Sequence, residues 1–440
     1  MIFTVIGIIL IIYSFKNFKK AFLWLLVFKL FLVTNITVVA IPGIPLLKWN
    51  MFLIAIFFIQ YWRNRKTLQV ENKPFPYERP FKFLILSWFL STIFAYIGFA
   101  GAVSQFIGTV FEELVIVWLM WKLIDVKKDL PFIIKWFSIA FFSISLYGFY
   151  EHQIQANPLV AYEATIIGDE ERAVVFTYDA DIGRGYRVQS VFEHAIGAGV
   201  NWSLYLIFVF SLWINCRYKF HDRVFILASA LLGIPCLFFT NSRGPILFLM
   251  IAILSIINLK NRKVYVFGGV CFIGFVVLSP YLADYAMNII SIFDSKAQQQ
   301  VGGSNAEMRF EQLAAAIALM QEAPFFGLGF KFMSEMNNTL TTALLGLESM
   351  WFRILTQFGL FGVIANFYYA YYELWKIPRH YQSRTIFFMS LAYWVVASMT
   401  SVPGMLTYMY YLFIIIFIKL SPQYNKESIV CDSKGNIPYD

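Results

Sequence analysis

The chain has 440 residues, of which 59% are hydrophobic and 14% are charged. Soluble globular proteins carry about 25% charged residues and about 45–50% apolar ones. The apolar excess lies in blocks of about 20 residues, the length that a helix needs to cross about 30 Å of hydrocarbon. These blocks exclude a soluble protein, and the absence of alternating ten-residue segments excludes a membrane barrel. The net charge of +9 flanks the blocks, so it indicates membrane topology and not nucleic-acid binding.

The apolar blocks predict an all-α polytopic membrane protein with about thirteen transmembrane helices, in a range of about 11–14. The first block has no basic leader and no small-residue cleavage site, so we expect a retained helix and not a signal peptide. The predicted spans are residues 2–15, 21–41, 46–62, 82–101, 104–124, 132–150, 194–214, 224–240, 245–259, 264–283, 351–375, 385–401 and 405–420.

Lys and Arg clusters follow alternate predicted spans. They come after the first, third, fifth, seventh, ninth and eleventh, beginning with Lys16, Lys19 and Lys20. Because basic loops stay in the cytoplasm, this alternation predicts an N-terminus outside and a cytoplasmic C-terminus.

This topology divides the chain into six regions. They are N-terminal transmembrane helices (1–150), a first outer loop (151–193), helices with a tight outer turn (194–283), a second outer loop (284–350), C-terminal helices (351–420) and a cytoplasmic tail (421–440). In the second loop, 304–322 predicts a helix, capped by Ser304 or Asn305 and followed by Pro324.

Arginines occur on the predicted outer face, where the positive-inside rule predicts few basic residues. The planar guanidinium suits phosphate and stays charged at any working pH. These side chains either hold a lipid-linked diphosphate or snorkel at helix ends and pair with acids. The set is Arg172, Arg184, Arg187, Arg243, Arg309 and Arg353.

A tight outer turn, Thr240 to Pro245, joins two predicted spans. Gly244 can adopt backbone angles closed to other residues, and Pro245 suits the first turn of the next helix. That helix therefore begins with unpaired N–H groups beside Arg243, an arrangement that favours an anion.

Several acidic residues carry two interpretations each. Glu193 and His194, shortly after Arg187, are either acid–base groups or markers of the membrane interface. Glu348 either takes a proton from a sugar hydroxyl or complements the dipole of the helix that follows.

Two further groups of charged residues are open to the same question. Asp179 and Asp181 form a pair that can hold a divalent cation, although such a pair arises easily by chance, and we predict no metal site. Lys29, Glu112 and Glu113 lie within predicted spans, where charges are either functional or a structural pair between helices.

In combination these residues resemble the O-antigen polymerase and ligase superfamily of bacterial surface-polysaccharide enzymes. The resemblance covers roughly residues 184–365. It implies a GT-C-like glycosyltransferase of the bacterial inner membrane that acts on the periplasmic face without a cofactor or a bound metal. The motifs, in order, are the Arg187 segment, Ser242-Arg243-Gly244, Arg309 with Pro324 and Gly327-x-Gly329, and Glu348 ahead of Gly359-x-x-Gly362.

The resemblance also implies roles for particular residues. Arg187 and Arg243 grip the diphosphate of an undecaprenyl-diphosphate-linked glycan, and Glu348 completes the catalytic set. Glu348 stands where the ligases usually carry a histidine, which favours a polymerase of O-antigen, capsule or exopolysaccharide. The remaining substrate-binding candidates, with the aromatic ones placed to stack on sugars, are Arg184, Arg309, Arg353, Glu193, His194, Trp351 and Tyr186.

The expected partners are the lipid-linked oligosaccharide, membrane lipid, a chain-length regulator and a flippase. Three alternatives stay open: a ligase or transferase to lipid A core or protein, a lipid-linked oligosaccharide transporter, and a non-catalytic membrane scaffold. Lys29 and Glu112 favour the transporter. The absence of an internal repeat and the concentration of charge at the outer face favour the transferase.

Overall fold

The structure is a computed structural model of the chain. It describes residues 2–31, 37–39, 47–66, 68, 73–167, 186–214, 223–257, 269, 306–333, 347, 349–400 and 407–424. The first half contains α1 (Ile2–Lys16), α2 (Phe18–Phe28), β1 (Thr37–Val39), β2 (Leu47–Lys48), α3 (Trp49–Asn64), α4 (Glu78–Ile93), α5 (Phe99–Leu123), α6 (Val126–Ile154) and α7 (Pro158–Ile167).

The second half is helical throughout its described residues. It contains α8 (Ala195–Ile214), α9 (Arg223–Phe239), α10 (Arg243–Ile253), α11 (Ala306–Glu322), α12 (Met350–His380), α13 (Arg384–Met399) and α14 (Thr407–Leu420). Two of the long helices contain a π-helical turn, at Val110–Val115 in α5 and at Tyr372–Lys376 in α12.

Four of the described helices, α5, α6, α8 and α12, are long and apolar enough to cross a membrane. Shorter apolar helices of 10–17 residues lie in α1, α9, α10, α13 and α14. Large apolar side chains also face outward, among them Ile12 and Val224, which are 65% and 78% exposed. Such a surface is unfavourable in water and suits hydrocarbon. The chain is a helical membrane protein.

The centre of the bundle is formed by α8 and α14. In α8, 89% of the residues in the most apolar window are buried inside the protein. The α14 residues from Met409 to Ile418 are also buried. Phe208 of α8 stacks on Phe413 of α14 with ring centroids 3.9 Å apart. A helix that is apolar on all sides is expected at such a central position.

A short antiparallel ribbon replaces part of two predicted helices. Thr37 pairs with Lys48 and Val39 with Leu47, while α2 ends at Phe28. The predicted span 21–41 is therefore too long. The run Thr37-Val38-Val39 is β-branched, which favours a strand, and Pro42, Gly43 and Pro45 follow it in the sequence.

The predicted helix 304–322 is confirmed as α11, but the capping candidates Ser304 and Asn305 lie outside the described residues. The predicted span 264–283 is described only at Gly269. The predicted spans 82–101 and 104–124 meet in a different place, because α4 ends at Ile93 and α5 begins at Phe99.

The chain reverses inside α12, at Gly359. Its backbone is non-helical there, with φ 60° and ψ −160°. Trp351 and Phe367 lie sixteen positions apart, which a continuous helix would separate by about 24 Å. Their rings instead stack with centroids 4.7 Å apart. The predicted straight span 351–375 is therefore wrong: residues 350–358 fold back beside residues 360–380.

The turn after α11 holds this reversal in place. The N–H groups of Leu328 and Gly329 donate to the carbonyl oxygens of Thr356 and Gln357, both at 2.9 Å. In return, Leu360 N–H donates to Pro324 O and Phe361 N–H to Phe325 O, at 2.9 and 3.0 Å. We call Gly327, Gly329 and Gly359 the glycine clamp, because all three have positive φ and sit at this backbone-to-backbone contact.

Candidate functional site

Arg187 binds the turn between α9 and α10, which we call the arginine turn (Thr240 to Pro245). Its Nη2 donates to Ser242 Oγ at 2.6 Å, and its Nε donates to Thr240 O at 3.3 Å. The neighbouring Val188 N–H donates to Phe239 O at 2.9 Å. The segment that carries Arg187 therefore lies along the turn that carries Arg243.

The arginine turn leaves the beginning of α10 without a side-chain cap. Ser242 is the N-cap residue, but its side chain makes no capping hydrogen bond. Its hydroxyl instead accepts from Arg187 and donates to Thr240 O at 2.9 Å. A helix N-terminus in this state favours a negative charge. Arg243, the first residue of α10, is half-buried there.

Glu151, at the end of α6, fixes the Arg187 segment. Its Oε1 accepts from the Tyr186 hydroxyl at 3.0 Å and from Gln189 N–H at 3.1 Å. Its Oε2 accepts from Ser190 N–H at 2.7 Å. Burial, together with the Glu151 charge, raises the pKa of Tyr186 above its usual range, so this phenol stays a hydrogen-bond donor.

Sequence reasoning missed Glu151, which it used only as a loop boundary. The side chain is fully buried, with 0% exposure. A buried carboxylate needs hydrogen-bond donors. The available signal was a carboxylate at the end of a long apolar helix, but its donors come from residues 35–39 positions later.

Arg309, on α11, reaches the same end of the bundle. Its Nη2 donates to Met399 O, at the last residue of α13, at 3.4 Å. The end of α13 also packs on the arginine turn, since a Cβ at Gly244 would lie 3.5 Å from Val396 Cγ1. The geometry thus brings Arg187, Arg243 and Arg309 to one end of the bundle, which we call the arginine end.

Two predicted substrate-binding residues have packing or capping partners. Trp351 stacks on Phe367 and on Trp394, and its Nε1 donates to Ser398 Oγ at 2.9 Å. These contacts anchor the folded-back arm of α12 to α13, so they favour packing over the predicted stacking on sugars. His194 Nδ1 accepts from Ile196 N–H at 3.1 Å and so caps the beginning of α8.

A second group of charged residues meets inside the bundle. The charges of Glu112, Glu193 and Glu113 act on Lys29, and the Glu113 charge acts on Arg353. We call these five residues the inner charged cluster. They come from the end of α2, the π-helical turn of α5, the segment before α8 and the folded-back arm of α12. Glu193 and Arg353 therefore belong with the intramembrane charges.

Several predicted residues lie outside the described part of the chain, so their geometry is not assigned. Glu348 is one of them, although its neighbours Leu347 and Ser349 are described. The others are Arg172, Arg184, Asp179 and Asp181. Within the described ranges, no group of three His, Cys, Asp or Glu side chains is arranged to hold a metal ion.

The arginine turn, α11 and the glycine clamp all fall in one continuous stretch of sequence that resembles a known family. Residues 228–367 match the family model described as O-antigen ligase. This match confirms the resemblance to the O-antigen polymerase and ligase superfamily. It indicates an enzyme of the O-antigen ligase or polymerase type, with lipid-linked glycans as substrates. Arg187, Glu151 and most of the inner charged cluster precede the matched segment. No curated protein shows a significant match to the chain.

Proposed function

We propose that this protein polymerises lipid-linked polysaccharide repeat units. The growing glycan is the donor, carried on undecaprenyl diphosphate, and an incoming lipid-linked repeat unit is the acceptor. The arginine end faces the periplasm of a bacterial inner membrane, and the complete chain has about thirteen spans in a GT-C-like arrangement. The observation that carries the proposal is Arg187 bound to Ser242 beside Arg243, at the uncapped beginning of α10.

The transfer step follows from this geometry. An acceptor hydroxyl attacks the anomeric carbon of the donor sugar, and the bond from that carbon to the diphosphate oxygen breaks. The bonding electrons leave with the diphosphate, so negative charge grows next to Arg187, Arg243 and the first N–H groups of α10. Arg309 adds a third cation at this end of the bundle. The hydroxyl proton passes to Glu348.

A ligase that uses the same donor is the second candidate, because the matched family model is described as O-antigen ligase. The two functions share the diphosphate site and differ in the acceptor. Glu348, in place of the histidine usual in ligases, supports the polymerase. The length of the product distinguishes them: a polymerase extends chains on the lipid carrier, whereas a ligase moves finished chains off it.

The proposal is tested in producing cells that lack the native gene and receive variants in its place. Arg187→Ala and Arg243→Ala each remove a cation from the diphosphate site, so we expect single repeat units to accumulate on the lipid carrier. Arg379→Ala is the matched control, because Arg379 is exposed near the other end of α12.

The measurement is the length distribution of lipid-linked glycans after extraction from membranes. Long chains of normal abundance in both the Arg187→Ala and Arg243→Ala strains would contradict the assignment. Long chains in Arg243→Lys would mean that positive charge suffices there, without the guanidinium geometry.

A further inference from the structure

The inner charged cluster lies deep in the protein but is not sealed from water. Lys29 and Glu113 are surrounded by protein, yet their side chains and those of Glu112, Glu193 and Arg353 keep accessible surface. Ionisable residues within membrane helices usually line a cavity or a substrate path, because burial in lipid is costly. The five side chains therefore line an internal cleft.

Three polar atoms in or beside this cleft have no hydrogen-bond partner. They are Glu112 Oε1, Glu193 Oε1 and the hydroxyl oxygen of Tyr408. The Tyr408 ring lies 5.2 Å from Lys29 Nζ, which places Tyr408 at the edge of the cluster. A buried polar atom without a partner costs about 1–3 kcal/mol, so these atoms await a ligand that brings hydrogen-bond donors.

The charges of the cleft select among possible ligands. Three carboxylates face two cations, so a second diphosphate would meet net negative charge. Neutral hydroxyl groups suit the cleft better, since each hydroxyl can donate to a carboxylate and accept from Lys29 or Arg353. A π-helical turn, often found at functional sites, presents Glu112 and Glu113.

The cleft also adjoins the diphosphate site. Glu193 follows Arg187 by six positions in the same segment. Arg353 lies on the folded-back arm that Trp351 ties to Ser398, next to the Met399 carbonyl that accepts from Arg309. A molecule whose diphosphate lies at the arginine end would extend its nearest groups toward the cleft.

We propose that the inner charged cluster binds the sugar rings of a lipid-linked repeat unit through their hydroxyl groups. The carboxylates of Glu112 and Glu193 accept hydrogen bonds from these hydroxyls. Lys29 and Arg353 hold the carboxylates in place and donate to sugar oxygens. This inference rests on the proposed function, because it takes the substrate to be a glycan on a diphosphate carrier.

The test compares two probes on the full-length chain in lipid nanodiscs. One probe is undecaprenyl diphosphate, and the other is the same carrier with its repeat unit, extracted from cells that lack this gene. We expect Glu112→Gln and Glu193→Gln to weaken binding of the glycan-bearing probe by about fivefold to tenfold, because an amide is a weaker acceptor than a carboxylate. Their affinity for undecaprenyl diphosphate stays unchanged.

The matched control is Glu78→Gln, whose carboxylate pairs with Lys82 on the surface at 2.6 Å and whose loss leaves both affinities unchanged. Arg187→Ala should weaken both probes. If it binds undecaprenyl diphosphate like the unmodified chain, the proposed function fails, whatever the cleft does.

The cleft proposal itself is overturned if both Glu variants bind the two probes like the unmodified chain, or weaken both probes equally. The second result would mean that the cluster only cross-links helices. Thermal unfolding is recorded for each variant, and Glu112→Asp replaces Glu112→Gln if that variant does not fold.

Discussion

Glu151 acts on the diphosphate site through another residue. Its carboxylate accepts from two backbone N–H groups and from the Tyr186 hydroxyl, on both sides of Arg187 in the sequence. Arg187 in turn donates to Ser242 Oγ and Thr240 O. We infer that Glu151 positions Arg187, since it fixes the backbone from which the guanidinium reaches the arginine turn.

Glu151→Gln tests this positioning role. The amide group of Gln would turn a donor toward at least one of the N–H groups that now donate to Glu151, and a buried N–H without an acceptor costs about 1–3 kcal/mol. We expect at least a tenfold loss in kcat/KM for glycan transfer, mainly through kcat, because the diphosphate loses an aligned cation.

The control is Gln153→Ala, which changes an exposed side chain two positions away. Glu151→Asp keeps the carboxylate on a shorter side chain and should recover part of the rate. A Glu151→Gln enzyme with normal kcat would show that the carboxylate serves folding alone.

At the scale of the elements, the glycine clamp decides where the folded-back arm of α12 begins. A Cβ on Gly327 would lie 2.3 Å from the carbonyl carbon of Gln357, and one on Gly359 would lie 2.7 Å from the Gly327 nitrogen. Contacts this short leave no space for a side chain. The clamp therefore fixes the start of an arm that carries Trp351 and Arg353 and directly follows Glu348.

Gly327→Ala and Gly98→Ala form a matched pair for this element. Both glycines have positive φ, 72° and 80°, but a Cβ at Gly98 meets nothing within 4 Å. We expect Gly98→Ala to cost only the backbone penalty of about 1–2 kcal/mol. Gly327→Ala should cost clearly more and lower transfer activity, because the steric clash moves the arm.

The comparison is made by thermal unfolding and by transfer rate in the same membranes. Equal losses of stability in the two variants would show that the close backbone contact at Gly327 does not matter.

At the scale of the whole molecule, the sequence predicts what local patterns determine. The apolar blocks predict a helical membrane protein, and α11 appears where Ser304 to Glu322 predicts a helix. The order of the motifs predicts the superfamily resemblance, which the family match confirms. Each of these features depends on composition or on residues close in sequence.

The features that could not be predicted depend on contacts between distant residues. Gly359 looks like an ordinary small residue of an apolar helix, and its reversal depends on backbone contacts with Pro324 to Gly329. The donors to Glu151 and the meeting of Lys29 with Glu112 likewise join separate elements. The placement of Arg187 beside Arg243 follows from the same kind of contact, and the catalytic roles assigned to them stay predictions.

The proposed function makes one whole-molecule demand: this chain alone must lengthen a glycan on its carrier. The direct measurement is to supply the purified full-length protein, in lipid vesicles, with a single substrate, the undecaprenyl-diphosphate-linked repeat unit. We predict a ladder of lipid-linked oligomers, with one undecaprenyl diphosphate released for each new glycosidic bond, and no ladder from Arg243→Ala. An unmodified protein that leaves the repeat units single, or an Arg243→Ala variant that makes the same ladder, would contradict the account.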